Sequence, residues 1–134
     1  MKSTETNALR VLLVDDSPTF LYAVTRALTL DSRINIVGQA TSGHEALDLV
    51  SAVRPDLVLM DVAMPGMNGL DATRHIKAQP NPPRVVVLTS HDIAHYRTAA
   101  KAAGADSFVS KADFGTQLLP LIDTVLAERA SAVS

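Results

Sequence analysis

The chain has 134 residues, 47% hydrophobic and 19% charged, with a formal net charge of −2. That describes one folded domain of ordinary size, able to bury roughly two-thirds of the surface its unfolded chain exposes, and not a disordered segment. The charge offers no basic footprint for nucleic acid or an anionic membrane, the lack of cysteine excludes disulfides, thiol catalysis and thiolate metal sites, and no apolar stretch approaches the ~20 residues of a membrane span.

The opening MKSTETNALR lacks the apolar core of a signal peptide, so a cytoplasmic location is expected. Residues 1–8 read as a flexible lead into a domain spanning 9–128. The first apolar run, Val11 to Val14, reads as a strand. Ser17 as N-cap and Pro18 at the first helical position then open a helix whose Phe20, Leu21, Val24, Ala27 and Leu28 share a face. A second run, Ile34 to Val37, precedes Ser42-Gly43-His44-Glu45, which fits a capping box leading into Ala46, Leu47, Val50 and Val53. The third run, Leu57 to Met60, is followed by a helix carrying Leu70, Thr73 and Ile76, stopped by the proline-rich stretch 79–83. After the fourth run, Val85 to Leu88, an alanine-rich helix extends from Ile93 to Ala103, with Gly104 as the C′ residue. The fifth run, Ser107 to Val109, leads to a last helix with Phe114, Leu118, Leu121, Ile122 and Val125. Pro120 requires a kink in it or a start nearer Leu119, and the Ala/Ser-rich residues 129–134 read as a flexible end.

Strand and helix therefore alternate five times, with connections suited to right-handed crossovers. The fold class is α/β, a doubly wound five-stranded parallel sheet with five helices.

In such sheets sites form beyond the carboxyl ends of the strands, where strand order reverses. The third run ends abruptly on a carboxylate, Asp61, although a charge buried alone costs several kcal/mol or more. The first strand leads into Asp15-Asp16, the fourth into Thr89-Ser90, and the fifth into Ser110-Lys111. Singly, a strand-terminal Asp is a turn former, a lysine is solvated and a Thr is a strand residue. Together they deliver three carboxylates, a hydroxyl and an ammonium to one edge. Two unit charges about 4 Å apart repel by ~4 kcal/mol at an effective dielectric of 20, so clustered carboxylates raise one another's pKa values unless a cation sits among them. Oxygen ligands without His or Cys point to a hard ion, and these suit Mg²⁺. An Asp beside Mg²⁺, a lysine and a hydroxyl is equipped to attack phosphorus.

On VDDSP (14–18), PDLVLMDVAMPGMNGL (55–70), VVVLTS (85–90), GAD (104–106) and the lysine of FVSK (108–111), the chain resembles the receiver domains of two-component response regulators over roughly Val11 to Leu126. The resemblance implies a flavodoxin-like strand order 2-1-3-4-5. It implies that Asp61 is the phosphoacceptor, that Asp15 and Asp16 hold Mg²⁺ with the backbone carbonyl of Ala63, that Thr89 and Lys111 contact the phosphoryl group, and that Phe108 is the switch aromatic. The implied partners are a sensor histidine kinase or phosphotransfer protein and an output protein met through the fourth helix, fifth strand and fifth helix. No membrane and no direct nucleic-acid contact of this chain are expected. Where the family often has polar residues, this chain has Ala63 and His91; both flank the route of attacking water, so the phosphoryl lifetime is not fixed by the resemblance. Ala112 replaces the frequent proline after the lysine, and since a cis bond to Ala costs ~3 kcal/mol or more, a trans peptide is expected. Lys-Ala-Asp resembles receivers attached to helix-turn-helix DNA-binding domains.

The expected function is a phosphorylation switch and not a turnover enzyme. One alternative is a haloacid-dehalogenase-like Mg²⁺ phosphohydrolase, which wants an acid where Ala63 stands. Another is the receiver half of a DNA-binding regulator; the initiating Met and the lack of a recognition helix favour a stand-alone receiver. His91 and His95 are spaced for a metal on one helical face but lack a third ligand. Met60, Met64 and Met67 read as gap-filling residues, and Tyr22 and Tyr96 as partly buried.

Overall fold

The computed structural model describes residues 8–64, 66–90 and 93–133, so the N-terminal segment 1–7, His91 and the side chain of His95 lie outside the described residues. The chain runs β1 (Leu9–Val14), α1 (Pro18–Thr29), β2 (Ile34–Ala40), α2 (Gly43–Val53), β3 (Leu57–Asp61), α3 (Gly69–Lys77), β4 (Arg84–Thr89), α4 (Ile93–Ala102), β5 (Ser107–Ser110) and α5 (Phe114–Val133). The strands are parallel and lie in the order β2-β1-β3-β4-β5, as expected. Order reverses at β1, which opens the crevice between β1 and β3 at their carboxyl ends.

Away from their ends the central strands are apolar because both faces are covered. Leu9, Val11, Leu13, Leu57, Leu59, Val86 and Leu88 point to the side packed by α1 and α5, through Leu21, Val24, Leu28, Leu118, Ile122 and Val125. Leu12, Val14, Val58, Met60, Val85 and Val87 point to the other side, where Ala46, Val50, Ala72, Ile76 and Ala100 of α2, α3 and α4 meet them.

The helix ends follow local chemistry. Phe20 N–H donates to the Ser17 hydroxyl at 3.3 Å, with Pro18 at the first helical position. In α2 the Ser42 hydroxyl accepts from Glu45 N at 3.1 Å, but the Glu45 carboxylate reaches back one residue further than a capping box requires and takes the N–H of Thr41 at 2.8 Å. Gly104, at φ +95°, closes α4: its N–H donates to Lys101 O and that of Ala105 to Ala100 O, the paired bonds of a Schellman motif.

The structure departs from expectation in the extent of β2, the course of α5 and the exposure of Tyr22. β2 continues past Val37 to Ala40 because a register shift between Val11 and Leu12 absorbs one residue and pairing resumes with Gly38. α5 is continuous through Pro120, after a single 3-10 turn at Lys111–Asp113, so a start near Leu119 is not what forms. The same helix runs on to Val133. Tyr22 is exposed, at 63%, because it lies off the buried stripe of α1; its ring and hydroxyl engage Arg26.

Two acidic motif residues act as staples at the opposite edge of the sheet. Asp56 accepts Arg10 N–H on its side chain at 2.9 Å and Arg84 N–H on its carbonyl at 3.0 Å, tying β1 to β4. Asp106 accepts both Val85 N–H and the Lys77 ammonium at 2.8 Å, fixing α3 and the start of β4 to the turn before β5.

Candidate phosphoacceptor site

Three strand ends and one turn build the site. Asp15 follows β1, its N–H bonded to Ala40 O at 3.0 Å, and its Oδ1 accepts Ser17 N–H at 2.8 Å, which holds the carboxylate against the first turn of α1. Asp61 is the last residue of β3, paired in register with Leu88, and its residue surface is only 3% exposed. Thr89, the last residue of β4, is buried one step beyond that pair. Lys111 opens the 3-10 turn after β5 and sends its ammonium back across the crevice, 2.6 Å from Asp15 Oδ2 and 3.2 Å from Asp61 Oδ1.

The approach of α3 fixes the phosphoacceptor candidate from behind. Gly69 N–H donates to Val62 O at 3.0 Å, and a Cβ at Gly69 would overlap the carbonyl oxygen of Asp61 itself. Only glycine permits this approach. Asn68 caps the helix, its side chain accepting from Asp71 N–H at 2.9 Å.

One carboxylate oxygen from each of Asp15, Asp16 and Asp61 falls within 4.8 Å of the others. Asp15 and Asp61 are buried while Asp16 is exposed at the rim. Burial, then the charge of Asp15, raises the Asp61 carboxyl to a pKa of about 6 against the opposing pull of Lys111. Burial draws the Lys111 ammonium downward, but pairing with Asp15 and Asp61 more than offsets it and leaves its pKa raised. Asp15 Oδ2 is a buried oxygen with no aligned hydrogen bond, although the ammonium stands beside it. Three oxygen donors from two buried carboxylates and one exposed carboxylate fit a small hard cation.

The structure thus gathers Asp15, Asp16, Asp61 and Lys111, with Thr89 at the adjoining strand end. Ala63 is exposed in the segment between β3 and α3. Phe108 lies farther along the sheet on β5, partly buried against the α2–α4 side, with the Arg97 guanidinium 5.8 Å from its ring centroid. The peptide leading into Ala112 is trans. Met60 and Met64 are buried in the core and Met67 packs against it, as gap-filling residues do. Two neighbours were not assigned to the site from the sequence. The Lys111 ammonium lies 4.3 Å from the ring centroid of Phe20, and Phe20 in turn meets Phe114, centroids 5.4 Å apart. Both phenylalanines register in the sequence only as apolar positions on helical faces.

Residues 11–122 match the family model described as the response regulator receiver domain. The chain is a response regulator receiver domain. This receiver is 34% identical over 122 residues to the Mycobacterium tuberculosis protein named "Probable transcriptional regulatory protein NarL", covering 91% of this chain and 56% of that one. It is 42% identical over 105 residues to protein-glutamate methylesterase/protein-glutamine glutaminase 2 of Pseudomonas fluorescens, covering 78% of this chain and 28% of the relative. The receiver therefore spans about half the length of one relative and under a third of the other. Among solved structures, the signal receiver domain of M. tuberculosis NarL superposes with a TM-score of 0.84 at 33% identity, over 90% of this chain and 98% of that one. No helix among the described residues of the receiver is long and apolar enough to cross a membrane.

Proposed function

We propose that this receiver takes a phosphoryl group on Asp61 from a histidine kinase or phosphotransfer protein and passes the signal to an output protein. The observation that supports this most is the crowding of Asp61. It is a buried carboxylate at a strand tip, close to two others and held by one ammonium. In the reaction an Asp61 oxygen attacks phosphorus, the bond from phosphorus to the donor's imidazole nitrogen breaks, and its electrons leave with that nitrogen. Asp15, Asp16, Asp61 and the backbone carbonyl of Ala63 would hold Mg²⁺, which when bound supplies positive charge to the phosphoryl oxygens. Lys111 and the Thr89 hydroxyl serve the remaining phosphoryl oxygens. With Ala63 where a phosphohydrolase of this chemistry keeps its general acid, the site serves a switch and not sustained turnover of phosphate esters. The output face is α4, β5 and α5, with Thr89 and Phe108 as its switch. Its relatives are named as a transcriptional regulator and as a methylesterase; those outputs differ, and what the receiver would share with them is the phosphorylated surface. A cytoplasmic location belongs to this reading.

Acetyl phosphate with Mg²⁺ tests it. Intact mass spectrometry should show one acid-labile phosphoryl group per chain in wild type and none in Asp61→Asn. Equal labelling of the mutant would overturn the assignment. Calorimetry completes the test: Asp16→Ala should weaken Mg²⁺ binding, and equal affinity would remove Asp16 from the ligand set.

A further inference from the structure

We infer that Phe20 is the positioning residue for Lys111, its ring face holding the ammonium between Asp15 and Asp61. The inference rests on the reading of Asp61 as phosphoacceptor only for its functional consequence; the contact itself is independent of it.

A lysine has a flexible four-carbon stem and three rotatable donors, so a fixed ammonium needs partners on more than one side. On one side of Nζ stand Asp15 Oδ2 at 2.6 Å and Asp61 Oδ1 at 3.2 Å. On another stands the Phe20 ring, its centroid 4.3 Å away. The Lys111 side chain is 17% exposed, so little water competes with these contacts. An aliphatic side chain in place of Phe20 would desolvate the ammonium without attracting it. A further carboxylate would deepen the crowding that already raises Asp61. An aromatic face is the remaining solution: it is apolar enough to pack yet carries negative charge density toward the cation.

The ring is itself fixed from two directions. The Ser17 cap binds the Phe20 N–H at 3.3 Å and sets the first turn of α1. Phe114, buried and only three residues after Lys111 at the start of α5, meets the ring at a 59° tilt. Ring and ammonium therefore both belong to a joint between the first turn of α1 and the turn after β5. Should a phosphoryl group on Asp61 take over from Asp15 as its partner, the ring would still support the ammonium, so the lysine would turn within the pocket and not leave it.

The test compares Phe20→Leu with Phe20→Tyr, which keeps the π face. Before any phosphate is added, NMR of the Lys111 side chain should show ring-current shifts in wild type and Phe20→Tyr that vanish in Phe20→Leu. Labelling by acetyl phosphate should slow about fivefold in Phe20→Leu, the scale of one partly desolvated cation–π contact, and be largely restored in Phe20→Tyr. Unchanged Lys111 shifts and labelling in Phe20→Leu would overturn the inference. So would equal losses in Leu and Tyr, which would make Phe20 a packing residue. A wild type that takes no label would overturn the phosphoacceptor assignment instead, and the Lys111 shifts would still decide the role of Phe20.

Discussion

Burial raises the Asp61 carboxyl to a pKa of about 6 from its ordinary 3.8, with the nearby Asp15 adding to the effect. In the fold the proton is therefore held to higher pH than in the unfolded chain. Below about pH 4 both states carry it and Asp61 costs nothing. As pH rises toward 6 the unfolded chain ionises first and stability falls; above 6 both are ionised and the loss is complete. Asp61→Asn keeps the shape and removes the charge. Without divalent cations it should be more stable than wild type at pH 7.5 by about 2–3 kcal/mol, a difference that shrinks toward zero near pH 4. Urea unfolding at the two pH values in chelator measures this, and an equal gain at both would show that ionisation of Asp61 is not its cause.

The elements of the fold differ in how openly the sequence displays them. Caps are local, so Ser17, Ser42 and Gly104 could be read directly from neighbouring residues. The far half of β2 could not, because Gly38-Gln39 interrupts the apolar run and pairing resumes only through a register shift against β1. Asp56 and Asp106 look like motif letters, and their roles depend on which strands become neighbours. The acidic cluster was legible because each member follows a strand; Phe20 was not, since an aromatic on a helical face carries no mark of the lysine it will meet. Two elements invite mutation. Gly69→Ala drives a methyl into the Asp61 carbonyl and should cost about 2 kcal/mol or more in urea unfolding while lowering phosphate uptake; wild-type values in both assays would mean the backbone yields freely. Pro120 lies exposed inside α5 and donates no helix hydrogen bond. Pro120→Ala should raise stability by about 1 kcal/mol or more by completing it, and a lower melting temperature would show that the ring is needed where it is.

Across the whole molecule, the helices differ in the side chains they bury against the sheet. α1 and α5 bury Leu, Ile, Val and Phe, whereas among the described residues of α4 the side chain buried on the sheet is Ala100, with Tyr96 partly buried beside it. Among those described residues, little apolar area resists a shift of α4. A phosphoryl group that draws in the Thr89 hydroxyl would free space beside β5, and Phe108 would have to leave the Arg97 guanidinium to enter it. Thr89→Ala should accept phosphate yet transmit it poorly. Amide NMR with beryllofluoride should show smaller changes over residues 93–111 in the mutant than in wild type; equal changes would sever Thr89 from the relay.

The reach of Lys111 across the crevice sets a parity of charge. Three carboxylates less one ammonium leave two negative charges, the complement of a single divalent ion. A monovalent ion would leave the pocket anionic and a trivalent one would leave it cationic. Converting Asp61 from a monoanion to a phosphoryl dianion then breaks that neutrality by one charge, and it does so within a largely buried space. Hydrogen-bond donors that travel toward it would stabilise the added charge. A lysine already inside the pocket has almost no distance left to travel, so on the proposed reading the motion would fall to neutral donors at the neighbouring strand end, and the signal would leave the site in the direction from which they come.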